Sequence, residues 1–181
     1  MTAPIAAPSP PLGDDTVTLR PWTHADVPAL RAACGDEAIC SFSTVPWRYT
    51  PAEARAWVDR QEEKRREGRG ITLAVVPTGE TSPLGTVVLT ALDSAQASAR
   101  LGYWLVGPGR GRGYATPAAR LLADWSLREL GLTRIELIIL PANTASRRVA
   151  ESLGAIDMGL HPELAQNGDR RADAQLYRID A

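Results

Sequence analysis

The run Arg110-Gly111-Arg112-Gly113-Tyr114-Ala115 gathers residue types that hold an anion. Glycines let the chain turn with several backbone N–H groups pointing the same way, and arginines supply charge. The run lies between an apolar, strand-like stretch from Leu101 to Val106 and a helix-like stretch from Ala115 to Leu130. A helix start adds unpaired N–H donors and partial positive charge, so the expected occupant is a phosphate or pyrophosphate. Spacing excludes two kinds of phosphate site. A Walker A loop needs a Lys after its last glycine, and no Lys follows any glycine here. A dinucleotide fingerprint needs Gly-x-Gly-x-x-Gly, which neither Gly109-x-Gly111 nor Gly111-x-Gly113 completes.

Other chemistry-bearing residues are few. Cys34 and Cys40 are the only cysteines, and His24 and His161 the only histidines. That is too few for a disulfide framework or a Cys/His metal site, and packing is the ordinary role of free cysteine. Glu136 lies in an almost wholly apolar run, Arg134 to Leu140, where a carboxylate needs a partner or a wet cleft. The 181 residues carry a net charge of −1 and a pI near 6.1, which removes the broad basic footprint of a general nucleic-acid binder. No stretch reaches the roughly 20 apolar residues of a membrane span, and Met1 to Leu12 lacks the pattern of a signal peptide. A cytoplasmic protein is expected, with residues 1–14 as a flexible leader and 15–181 as one domain.

The elements that position these residues read as mixed α/β. Val17 to Arg20 alternates as a strand and stops at Pro21, and Thr23-His24-Ala25-Asp26 starts a short helix that ends near Ala33. Gly35 to Tyr49 reads as irregular. Thr50-Pro51-Ala52-Glu53 is a capping box with Pro at the first helical position, opening a helix that ends at Gly68. The strand-like runs Ile71–Val76, Leu84–Leu92 and Arg100–Val106 suggest an antiparallel meander. The loop and its helix follow, then the apolar strand after Gly131, a helix from Thr144 to Leu153, and a strand near Ala174 to Ile179.

The ordered set Leu101-Gly102-Tyr103-Trp104-Leu105, Arg110-Gly111-Arg112-Gly113-Tyr114-Ala115-Thr116 and Asn143-Thr144-Ala145-Ser146 through Leu153-Gly154 resembles the GNAT N-acetyltransferase superfamily, in its RimJ/RimL-like branch. The family's acyl-CoA loop is Gln/Arg-x-x-Gly-x-Gly/Ala, matched by Arg110, Gly113 and Ala115. The resemblance implies a twisted, mixed but mostly antiparallel sheet of six to seven strands flanked by about four helices. In it the fourth and fifth strands splay at a bulge into a V-shaped cleft. It implies acetyl-CoA as co-substrate, bound by the backbone of Trp104, Leu105 and Val106, by the Arg110–Ala115 loop, and by Asn143 and Ser146. The implied reaction moves an acetyl group to a primary amine of a protein N-terminus or small molecule, by direct attack, with Ser146 as acid. Glu136 is the candidate base or substrate anchor, because the positions where relatives carry glutamate hold Arg100 and Leu101, and Met158 before Gly159. Trp47, Tyr49 and Tyr103 are the candidate acceptor-binding residues, with the loop from His161 to Arg171 contributing to selection. The resemblance is compatible with a homodimer, and calls for neither a metal nor a membrane. The missing glutamates leave a second expectation open, a catalytically weak acyl-CoA-binding module.

Overall fold

The computed structural model describes residues 3–42, 48–167 and 170–181. The chain opens with β1 (Leu12–Gly13) and β2 (Val17–Pro21), then a 3-10 turn, His24–Asp26, that runs into α1 (Val27–Ala33). Arg20 forks onto the buried Asp26 carboxylate at 2.7 and 2.8 Å, and Thr23 donates both its N–H and its hydroxyl to the same group. Two more helices follow, α2 (Glu37–Phe42) and α3 (Pro51–Arg66). The capping box at Thr50 is made in both directions: Thr50 N–H donates to Glu53 at 2.7 Å, and Glu53 N–H donates to the Thr50 hydroxyl at 3.2 Å.

The meander is β3 (Ile71–Pro77), β4 (Gly85–Asp93) and β5 (Ser98–Leu105). After it come α4 (Ala115–Glu129), β6 (Arg134–Ile139), α5 (Thr144–Ser152), β7 (Ile156–Asn167) and β8 (Arg170–Asp180). One eight-stranded sheet results, in the order β1-β2-β3-β4-β5-β6-β8-β7. All its neighbours are antiparallel except β5 and β6.

That parallel pair is short. It holds for Ser98↔Arg134, Ala99↔Ile135 and Arg100↔Glu136 and no further, although β5 continues to Leu105 and β6 to Ile139. The sheet therefore opens between them, which is the expected cleft. The recorded irregularity nearby lies in β4, between Thr90 and Asp93, at the closed end.

Alternation along β5 divides two cores. Leu101, Tyr103 and Leu105 belong to the larger one, with Ala118, Leu122 and Trp125 of α4, Ala150 of α5 and Ile135 and Leu137 of β6. Trp104 turns to the other face, against Trp22, Val27, Leu30, Ala54 and Val58 beneath α1 and α3. There Trp22 packs edge-on to Trp57 at 5.6 Å and lies 6.2 Å from Trp104.

Three sequence expectations change. Glu37–Phe42 is helical rather than irregular, because Asp36 accepts from the N–H groups of Ala38 and Ile39 and so caps it. The segment from His161 to Arg171 is mostly strand, the far end of the β7–β8 hairpin. With β1 and β7 added, the described residues hold eight strands and five α-helices, against the six to seven and four expected. In the expected leader, Leu12–Gly13 pairs with β2, and Ile5 is buried with its N–H on the Arg65 carbonyl at 3.0 Å.

Candidate active site

The Arg110–Ala115 loop leaves β5 through a 3-10 turn, Gly107–Gly109, and enters α4. Gly111 and Gly113 sit at φ 70° and 80°, the left-handed region that only glycine enters at no cost. A Cβ built on either meets no atom within 4 Å, so space is open above both. No side chain caps α4 at Tyr114. Among the described residues no side chain accepts from the first N–H groups of α4. An uncapped helix start following two left-handed glycines fits a pyrophosphate. The Tyr114 side chain is buried in the larger core and anchors the loop, and the Arg112 guanidinium lies 5.0 Å from its ring centroid.

Arg110 is not a free cation. Its Nη2 donates to Asp36 Oδ1 at 2.7 Å, and the Gly107 N–H donates to Asp36 Oδ2 at 3.2 Å. Burial pushes the Asp36 carboxyl up, but the Arg110 guanidinium and the backbone N–H groups outweigh it and hold it below the usual carboxylate range. Sequence reading missed Asp36; an Asp directly before a helix-forming run was the available cap signal.

Along β5 the backbone groups alternate between β4 and the open side. Val106 N–H donates to the Leu84 carbonyl at 2.9 Å, and its own carbonyl accepts from Gly109 at 2.8 Å. Both backbone groups of Val106 are thus occupied, against its expected place in the cleft. Two residues back, Trp104 also points its backbone toward β4, where it registers with Thr86. Leu105 and Tyr103 are left to present N–H and C=O groups to the gap.

Across the cleft, Asn143 caps α5, its side-chain oxygen accepting from Ser146 N–H at 3.1 Å. Tyr103 reaches the same turn and donates its hydroxyl to the Ser146 carbonyl at 3.2 Å. Burial pushes the Tyr103 phenol up to about 12, so it keeps its proton at neutral pH. Tyr103, Asn143 and Ser146 thus come together on the α4–α5 side of the sheet.

Glu136 does not join them. It projects from the opposite face, between the buried Ile135 and Leu137, in register with Arg100 and Arg178 on the flanking strands. Its Oε1 is 3.4 Å from Arg134 Nε, an ion pair without hydrogen-bond geometry. Tyr49 packs against the smaller core, with its carbonyl accepting from Arg31 Nε at 3.2 Å. Trp47 lies outside the described residues. Cys34 is buried, and burial pushes its thiol up to about 11, far from a reactive thiolate. No described helix is long and apolar enough to cross a membrane.

The comparisons agree with this geometry. A family model described as Acetyltransferase (GNAT) domain matches residues 16–156. The uncharacterized N-acetyltransferase p20 of Bacillus licheniformis is 23% identical over 165 residues, which cover 91% of this chain and 93% of the relative. RimJ of Mycobacterium smegmatis, solved with a CoA disulfide, superposes with a TM-score of 0.81 at 26% identity, covering 91% of this chain and 82% of RimJ. The microcin C7 self-immunity acetyltransferase MccE, solved with acetyl-CoA and AMP, shares the fold with a TM-score of 0.82 at 17% identity, covering 93% of this chain and 94% of MccE. A glycine loop feeding an uncapped helix, a sheet that parts beside it and a family match over most of the length converge: the chain belongs to the GNAT family, as an acetyl-CoA-dependent acetyltransferase.

Proposed function

We propose that this acetyltransferase acylates a primary amine, that of a protein or peptide N-terminus or of a small molecule, by direct attack. The observation that carries the reading is the cleft: β5 and β6 part after Arg100↔Glu136, and the parted strand runs into the glycine loop. The amides of Gly111 to Ala115 and the Arg110 and Arg112 guanidinium groups would hold the pyrophosphate. The Leu105 and Tyr103 backbone groups would pair with the amide-bearing arm, as an added strand does. Bound acetyl-CoA supplies the activated acyl group and a thiolate that must gain a proton. Ser146, on the first turn of α5 with Asn143 and Tyr103 fixing that turn, is the proposed donor of that proton. Glu136 is assigned to its ion pair with Arg134. The ammonium proton then leaves to bulk solvent along a water relay through backbone carbonyls of the cleft.

The acceptor class is supported by the likeness to p20, which is named an N-acetyltransferase. Thiol release from acetyl-CoA, followed with a panel of peptides bearing free or blocked N-termini and with small primary amines, tests the reading. Release that needs a free amine, with the acetyl group found on that nitrogen by mass spectrometry, is expected. Acetyl-CoA binding without turnover on any amine would overturn it in favour of a CoA-binding module.

A further inference from the structure

The α1–α2 connection and the anion loop meet at one side chain. Asp36 lies between α1 and α2, far in sequence from the loop it touches. Its Oδ1 takes Arg110 Nη2 at 2.7 Å together with the N–H groups of Ala38 and Ile39, and its Oδ2 takes the Gly107 N–H at 3.2 Å. The contact is partly sheltered, with the Asp36 side chain 18% exposed and that of Arg110 41%. Beside it lies an open groove of about 480 Å³ lined by Ala29 and Ala32 of α1, by Leu84 and by the Val106–Pro108 turn, with Asp36 and Gly107 on its wall.

We infer that Asp36 is a positioning residue for the acetyl donor: it fixes the Arg110 guanidinium and the turn at Gly107 before the pyrophosphate arrives. The inference rests on the reading of Arg110–Ala115 as the pyrophosphate loop. Asp36 occupies one nitrogen of a guanidinium that carries five N–H donors, so the others stay available to phosphate oxygens. An arginine already held loses less rotamer freedom when it binds. The Gly107 contact acts on the backbone, since Gly107 opens the 3-10 turn from which the loop departs. A carboxylate beside an anion site also repels the anion. The predicted balance is that preorganisation outweighs this repulsion, because the carboxylate is largely neutralised by the guanidinium it holds.

Titration calorimetry with CoA and steady-state kinetics decide the sign. Asp36→Ala is expected to weaken CoA binding and raise the acetyl-CoA KM by ~3- to 10-fold with kcat unchanged, the cost of immobilising one long side chain at binding. Asp36→Asn retains a good helix cap for α2 and loses the charge, so an intermediate loss of affinity with an unchanged melting temperature separates positioning from folding. In an Arg110→Ala background, Asp36→Asn should weaken CoA less than it does in the parent, the remaining effect acting through the Gly107 N–H. If Arg110→Ala weakens CoA while both Asp36 variants bind as tightly as the parent or tighter, the inference is overturned and the loop reading stands. If Arg110→Ala and Gly113→Val leave CoA affinity untouched, the loop reading itself fails and takes the inference with it.

Discussion

The phenol of Tyr103 and the carbonyl of Ser146 join β5 to the first turn of α5 through a single hydrogen bond. Burial raises the Tyr103 pKa to about 12, from an ordinary value near 10. The folded state therefore holds a proton that the unfolded chain releases earlier. The associated stability is complete below about pH 10 and is lost as pH rises toward about 12. Denaturant midpoints should fall across that window in the parent and fall less in Tyr103→Phe; equal slopes would place the alkaline loss elsewhere. Ser146→Ala tests the acid directly. A loss of roughly 10²-fold or more in kcat is expected if the hydroxyl protonates the leaving thiolate, with acetyl-CoA affinity nearly unchanged. Glu136→Gln should leave kcat within about twofold, because a carboxylate committed to Arg134 on the other face makes no contact that strengthens in the transition state. A hundredfold loss there would return Glu136 to the role of base.

At the scale of elements, the loop depends on two backbone angles. Gly111 and Gly113 have open space above them, so Gly111→Ala or Gly113→Ala acts only through φ. A left-handed L-residue costs ~1–2 kcal/mol, and refolding the turn to escape that cost turns its amides away from the ligand. Either variant should raise the acetyl-CoA KM about tenfold, with a melting temperature little changed; an unchanged KM would remove the cradle. The elements that sequence revealed were those with local punctuation. Thr50-Pro51 and Glu53 announce α3, Gly68 ends it, and the anion loop stands between a clear strand and a clear helix. Asp36 was hidden because the short α2 has too few residues for a periodic pattern, and its loop partner Arg110 is 74 positions away. β7 was hidden for another reason. Gly159, Pro162 and Glu163 at φ 52° break its alternation, and its pairing with β8 shifts register twice. Val106 looked like cleft backbone because a strand's sequence does not say which edge each amide faces. Glu136 was legible as a residue that needed a partner, and the partner came from Arg134, two residues back on the same face.

Across the whole molecule, one sheet carries two cores that share strands and no side chains. The larger core lies under α4 and α5 and holds every element from which the cleft is built. The smaller lies under α1 and α3 and reaches β5, among the described residues, through the Trp104 indole. A buried polar relay runs through it: Trp22 Nε1 donates to the Thr86 hydroxyl at 2.8 Å, and that hydroxyl donates to the Leu73 carbonyl at 3.0 Å. Thr86→Val keeps the shape and removes both bonds, leaving the indole N–H without an acceptor. A buried donor stripped of its partner costs ~1–3 kcal/mol, and in a chain of this length each kcal/mol is about 2–4 °C of melting temperature. A fall of about 2–12 °C is expected. The donor site should not share in it. Trp104 keeps its backbone on β4 through the ladder, and the loop is anchored by Tyr114 in the other core. Below the melting transition the acetyl-CoA KM of Thr86→Val should therefore match the parent. A severalfold rise would show that the two faces are coupled through Trp104, and that the smaller core helps to shape the cleft.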